Sequence, residues 1–221
     1  MKTLFTIIFF SVFSMSLFGQ IDIGFYGGIN SYSFSGKAPD DAEYESKYGY
    51  LGALNIDFYI FDELALSVQP GYTERGSFLV YRNRFNEKKI DSSFTVTQTF
   101  VNIPFNFKIF TRNKHFYFLG GANFDYFLKN TFNKEGEEPK DIDYIFKDYD
   151  FSINFGLAYI YFFTNFSLYA EFRYTHGVKN MNKTNFVRGT DDDIYIDNFK
   201  TSGMSLLIGF SYRLWSPEKD E

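Results

Sequence analysis

"SLLIGFSYRLW", from Ser205 to Trp215, decides how this chain is read. Taken alternately, Leu206, Ile208, Phe210, Tyr212 and Leu214 form an apolar set. Ser205, Leu207, Gly209, Ser211 and Arg213 form a set that is mostly small or polar. A period of two sustained over the whole stretch specifies a β-strand. A half-buried soluble strand and a membrane barrel strand share that alternation, so the apolar face can meet either a protein core or lipid.

The rest of the chain repeats the pattern. Alternation predicts strands over Ile21–Ser33, Lys47–Ile60, Leu64–Arg75, Phe94–Phe110, His115–Lys129, Phe151–Phe162, Phe166–Gly177 and Lys200–Trp215. Convincing helical periodicity is absent, and no change of composition divides the strands into two domains. The connections sort by length. Phe61–Glu63, Thr111–Lys114 and Phe163–Asn165 are very short, whereas Ser35–Ser46, Gly76–Ser93, Asn130–Asp150 and Val178–Phe199 are long. Long and short alternate strictly, so an up-and-down meander gathers every long loop at one end. Outer-membrane barrels have this asymmetry, with short periplasmic turns and long outer loops.

The two strand faces answer the question of lipid or core. In Phe166–Gly177, the face of Phe166, Leu168, Ala170, Phe172 and Tyr174 opposes that of Ser167, Tyr169, Glu171, Arg173 and Thr175. In Phe151–Phe162 the second face is Ser152, Asn154, Gly156, Ala158 and Ile160. Small residues are of no use on a water-facing sheet but fit the interior of a narrow barrel. Aromatics gather near both strand ends, with Tyr48, Tyr72, Tyr126 and Tyr174 at one and Phe58, Phe107, Phe116 and Tyr161 at the other. They match the girdles of the two membrane interfaces. The reading is an all-β, eight-stranded antiparallel up-and-down transmembrane β-barrel, with Arg213 pointing inward.

Composition agrees. Of 221 residues, 23% are aromatic and 22% charged, so apolar and polar positions are interleaved along the chain. The absence of cysteine excludes thiol metal sites, disulfides and a lipidated N-terminal cysteine. A net charge of −5 without a basic patch argues against nucleic acid as a partner. At the N-terminus, Lys2 precedes the apolar run Leu4–Phe18, and Gly19 precedes Gln20. The run is shorter than the ~20 residues of a membrane helix and has the form of a secretory signal peptide. Residues 1–19 are therefore expected to be the cleaved signal peptide, 20–215 the barrel and 216–221 a short C-terminal tail. The expected location is the outer membrane of a Gram-negative bacterium, among its lipid and lipopolysaccharide.

Several blocks carry a family resemblance: "GFYGGINSYSFSG" (Gly24–Gly36), "LSVQPGYTERG" (Leu66–Gly76), "FVNIPFNFKIF" (Phe100–Phe110), "FYFLGGANFDYFL" (Phe116–Leu128) and "LYAEFRYTHGVKNM" (Leu168–Met181). With the closing strand they resemble the PorT-like outer-membrane β-barrel family over essentially the mature chain. That resemblance implies the same fold and, through the family's namesake, a link to secretion of surface proteins. The family usually has an acid before Ile-Pro where this chain has Asn102, so no role of that acid carries over. Gly209, Tyr212, Leu214 and Trp215 also resemble the C-terminal signal read by barrel-assembly machinery, although "SPEKDE" follows here.

Residues able to carry chemistry are few. His115 is expected in the lumen near a periplasmic turn, and His176 outward near the outer rim. Outer-membrane lipid A deacylases resemble this architecture and use an outward His with a nearby Ser. In "THGVKN", however, Val178 stands where a His-x-Ser pair needs serine. Asp191, Asp192, Asp193 and Asp197 could hold a divalent cation through oxygens, yet they lack the ligand spacing of a calcium loop. Asp22, Asp57, Asp125 and Glu171 are expected to face Lys108, Arg173 and Arg213 inside the barrel as mutual partners, because a lone buried charge is costly. Tyr26, Tyr59, Tyr117, Tyr169, Phe100 and Leu119 should crowd the same space. Pro70 and Pro104 lack ladder donors, which suggests a shared β-bulge. No catalytic, cofactor-binding or metal residue is assigned. The expected role is non-enzymatic display of surface loops for adhesion, docking of a protein partner or envelope integrity, with solute transport and lipid modification as the alternatives.

Overall fold

The computed structural model describes residues 19–39, 42–85, 88–134, 138–183, 186–188, 193–195 and 198–215. The expected signal peptide, apart from Gly19, and the tail 216–221 lie outside these. The described residues form twelve strands: β1 (Gln20–Gly36), β2 (Ala42–Phe61), β3 (Leu64–Val68), β4 (Gly71–Phe85), β5 (Lys88–Phe110), β6 (Phe116–Lys134), β7 (Lys140–Asp141), β8 (Tyr149–Phe162), β9 (Phe166–Gly177), β10 (Phe186–Arg188), β11 (Asp193–Tyr195) and β12 (Phe199–Trp215). β3 and β4 act as one barrel strand. β1 pairs antiparallel with both β2 and β12, and the ladder runs through β3/β4, β5, β6, β8 and β9 back to β12. The sheet closes on itself with eight strands and leaves no edge in the wall.

The opening stretch faces as its alternation demands. Leu206, Ile208, Tyr212 and Leu214 are exposed on the outside, while Ser205, Leu207 and Ser211 are buried within. Gly209 shows why small residues line the interior. A Cβ there would lie 2.1 Å from the ring of Tyr169, its cross-strand partner, so the missing side chain makes room for that ring. The outer surface carries a broad apolar belt, including Phe25, Ile29, Phe105, Phe118, Phe155 and Phe172.

Two expectations about the strands change. First, the strands extend well into the long connections. β4 and β5 form a regular hairpin out to Phe85 and Lys88, and β2 begins at Ala42, paired with Tyr81. The sheet thus rises beyond the membrane on the side of β2, β4 and β5. The run "FLVY" (Phe78–Tyr81) is apolar without a gap, which hides the alternation of buried Ser77 and Leu79 with half-buried Phe78 and Val80.

Second, the prolines share no bulge. Register is the same on both sides of Gln69–Pro70, with Ala53↔Gly71 and Ile56↔Val68 on β2, and Asn102↔Gly71 and Phe105↔Val68 on β5. The carbonyls of Pro70 and Pro104 still accept, from Leu54 and Gln69, at 3.0 Å each. Each proline forfeits one donor of a pair and needs no extra residue to do so. The register shifts fall elsewhere, at Ser46/Leu51, Tyr59/Phe61, Thr99/Phe100 and Ile21/Asp22.

Two apolar layers fill the lumen at different heights. The lower one joins Tyr26, Tyr59, Ala65, Phe110, Tyr117, Leu119, Ala158, Ile160, Tyr169 and Leu207, so every barrel strand contributes. The upper one joins Phe34, Val96, Phe100 and Phe199 from the strands with Ile142, Ile145, Phe146 and Met181 from two outer connections.

Candidate functional site

A buried polar network threads the lower layer, where Lys108 and Glu171 have Ala65, Leu119, Ala158 and Leu207 as Cα partners, and continues above it. Lys108 Nζ lies 2.8 Å from Asp57 Oδ2 and also donates to Asn55 Oδ1 at 3.1 Å. Arg173 Nε donates to Glu171 Oε1 at 2.7 Å, and a second guanidinium nitrogen reaches Gln69 Oε1 at 2.9 Å. The Tyr117 hydroxyl donates to Glu171 Oε2 at 2.7 Å. Higher up, Arg75 Nη1 meets Asp125 Oδ2 at 2.7 Å, and Asn102 donates to the other oxygen of Asp125. Rings cover the cations. Arg75 lies over Tyr32 and Phe100 (4.8 and 5.0 Å to the centroids), and Lys108 over Tyr117 and Tyr169 (5.1 and 5.4 Å). Carboxylates, amides and ring faces together replace the water these charges give up.

The expected lumen set is therefore brought together. Asp22, Asp57, Asp125, Glu171, Lys108 and Arg173 are all buried, as are Tyr26, Tyr59, Tyr117, Tyr169, Phe100 and Leu119. Arg213 and Asp22 are Cα partners where the first and last strands seal the barrel. Two charges were missed. Arg75 and Asp150 are buried in the same interior, and both share the parity of inward neighbours, Thr73 and Ser152. Arg75 closes the expected strand Leu64–Arg75 with the parity of Thr73, and Asp150 lies one residue before the expected start at Phe151, so alternation alone would have found both. Asn102, in place of the acid usual in the resembling family, gives Asp125 a donor where an acid would oppose it.

The histidines divide. His115 is not in the lumen. It is exposed in the turn before β6, with its ring 6.2 Å from that of Tyr159 on the outer face. Thr111 accepts Phe116 into the closing turn, so the ladder's alternation begins at Phe116 and does not include His115. His176 is near the outer rim, beside Tyr174, and its Nδ1 is 2.9 Å from Ser202 Oγ on the neighbouring strand. A local search for His-x-Ser could not see this pair, because the cross-strand register supplies it. Among the described residues no carboxylate is hydrogen-bonded to the ring, so the orienting group of a nucleophilic triad is missing. Asp191, Asp192 and Asp197 lie outside the described residues, and of Asp193 only the backbone is described. Among the described residues no cluster of His, Cys, Asp and Glu could hold a metal ion.

The closed eight-stranded wall, the lipid-facing belt and the filled lumen are the features of a small outer-membrane barrel. The family model "Outer membrane protein beta-barrel domain" matches residues 14–183. The chain belongs to that family. It is a small β-barrel protein of the bacterial outer membrane, and its strands span that membrane. None of the curated proteins matches it in sequence. Among solved structures, this family member is similar to OprG of Pseudomonas aeruginosa at 12% identity, with 90% of this chain and 98% of that one covered and a TM-score of 0.47. It is also similar to Neisserial surface protein A at 12% identity, covering 87% and 97% with a TM-score of 0.44. The outer membrane protease OmpT of Escherichia coli matches at 12% identity, covering 88% and 97% with a TM-score of 0.45.

Proposed function

We propose that this barrel acts by display: a rigid, non-enzymatic and non-conducting wall holds its outer connections at the cell surface for adhesion, docking of a protein partner or envelope integrity. The observation that carries this reading is the double closure of the lumen, with side chains from every barrel strand in the lower layer. An eight-stranded barrel is just wide enough for side chains to fill it. Within the lumen the charges are spent on one another, unlike the one-signed lining of a selective pore. Export would run through the N-terminal signal peptide, and assembly through the closing strand and the barrel-assembly machinery. Lipopolysaccharide would surround the aromatic rim. A docking role in secretion of surface proteins is the narrower form of the same proposal.

Two measurements test it. The pure protein in a planar bilayer should give no steady single-channel currents; stepwise currents from the wild type would replace display with transport. A photoreactive residue at exposed Val178 should capture a discrete surface partner in intact cells. Capture of nothing but lipid there would remove the docking version.

A further inference from the structure

The end opposite the displayed connections holds a pocket that display leaves unused. The three short turns and both ends of the described barrel meet there, which makes it the periplasmic end. A cavity of about 680 Å³ opens between Gln20, Tyr59, Phe61, Phe110, Lys114 and Arg213. That volume is in the range of small-ligand sites. The pocket is blind. Tyr59 stacks on Phe110 at 5.5 Å and Phe110 packs on Tyr117 at 5.3 Å, so the lower apolar layer is its floor.

Its polar groups are incompletely used. Arg213 Nε is buried and has no hydrogen-bond partner. Asp22, across the seam from Arg213, accepts from Gln20 Nε2 at 2.7 Å. Lys114 is the described non-glycine residue with a left-handed backbone, φ 57°, and the turn that holds it there places it on the wall of the cavity. Its ammonium is 3.8 Å from Asp62, and both side chains are about half open to water (47% and 65% exposed). Such a pair contributes little and exchanges partners readily. Two cations thus line the space with one carboxylate, Asp62, which is engaged by Lys114, and the Gln20 amide, while Tyr59, Phe61, Phe110 and Phe162 supply aromatic walls.

We infer that this mouth binds a carboxylate joined to an apolar group, the chemistry of a free polypeptide C-terminus that ends in an apolar residue. The Arg213 guanidinium and the Lys114 ammonium, both on the lining, donate to the carboxylate, and Phe61 and Phe110 receive the apolar side chain. This site does not depend on what the outer connections bind. A carboxylate can reach it from a separate periplasmic polypeptide, or from Glu218, Asp220 and Glu221, which follow β12 in this chain. The first source is the one proposed, because it also fills the aromatic walls.

The chain has one tryptophan, Trp215, the last residue of β12 and the Cα partner of Ile21, so its fluorescence is a single-residue readout at this end of the barrel. The full chain, refolded in micelles, is titrated with N-acetyl-Ala-Phe and with the amide of that peptide. Calorimetry on the same samples covers a silent fluorophore. The free acid should bind saturably and the amide about tenfold or more weakly, the effect of one lost charge-assisted contact. Lys114→Gln, in an exposed turn, should weaken the acid about threefold with folding intact, and Arg213→Gln about tenfold. A variant ending at Trp215 separates the sources. Unchanged affinity supports the separate polypeptide, while a marked gain would show that the chain's own acids occupy the site and overturn that source. Equal binding of acid and amide, no saturable binding to either chain, or indifference to both substitutions overturns the site itself.

Discussion

The barrel closes at its two heights by different means. The lower layer is built from strand residues such as Tyr26, Tyr59, Tyr117 and Tyr169, each fixed by ladders on both sides. The upper layer borrows Ile142, Ile145, Phe146 and Met181 from connections that fold back over the lumen. These connections are held by scattered bonds and not by long ladders: Ile142 N donates to the Asn130 carbonyl at 3.1 Å, Asn130 N to Asp143 Oδ1 at 2.7 Å, Lys147 N to the Met181 carbonyl at 2.8 Å and Met181 N to the Phe199 carbonyl at 3.1 Å. The lower closure therefore opens only when the barrel itself unfolds, whereas the upper one can open locally. One fold thus combines a permanent seal with a removable cap.

The largest expected effect lies below. Lys108→Met leaves Asp57 buried beside Asn55 with its cation gone, and should cost about 3–5 kcal/mol of folding free energy. The readout is the denaturant midpoint in micelles, together with loss of the unboiled barrel's distinct gel mobility. Arg213→Ala should cost less, because its side chain reaches the open mouth. Equal losses would mean that depth in the lumen does not grade the charges.

Next comes the cap. Ile145 is fully buried, and Ile145→Ala should remove about 2 kcal/mol of local stability. Protease applied to whole cells should then cut near exposed Tyr144 several-fold faster, while the gel mobility of the barrel stays unchanged. A variant that unfolds globally would make the two closures one cooperative unit. Asn102→Asp, a smaller change within the network, exchanges the donor to Asp125 for a second carboxylate. It should cost about 1–2 kcal/mol, read from the same denaturant midpoint; a neutral outcome would show that Arg75 alone satisfies Asp125.

The same contrast explains what could be read from the residues. Period-two patterning carries information wherever a residue's environment is set by its strand, so the strand number, the outward belt and most of the lower layer follow from it. Arg75 needed only its parity read to the end of the expected strand, and Asp150 a strand one residue longer. The cap was out of reach: "DIDYIF" (Asp141–Phe146) is a loop by composition, and nothing local says that Ile142, Ile145 and Phe146 turn inward. The His176–Ser202 contact was hidden for a related reason, since register across a ladder, not spacing along a strand, makes it. His115 failed because alternation was carried one residue too far into a turn.

The smallest effect is expected at that histidine. His176 and Ser202 face outward at the upper rim, where an outer-leaflet lipid would pass, and their 2.9 Å contact is the nearest the described residues come to a nucleophile and its base. If the pair is a cross-strand hydrogen bond at a half-exposed site, replacing either residue with alanine removes one polar contact and should change stability by about 0.5 kcal/mol or less. If it is a working dyad, the two substitutions should be interchangeable in effect, each abolishing ester cleavage while leaving folding alone. The absence of a carboxylate to orient the imidazole among the described residues favours the first, because a base with an unfixed ring presents the wrong nitrogen for much of the time. Mass spectrometry of lipid A from cells carrying wild type, His176→Ala, Ser202→Ala or a deletion should therefore give the same acyl pattern in all four. A pattern altered identically by the deletion and by both single substitutions would replace the proposed display role with lipid hydrolysis.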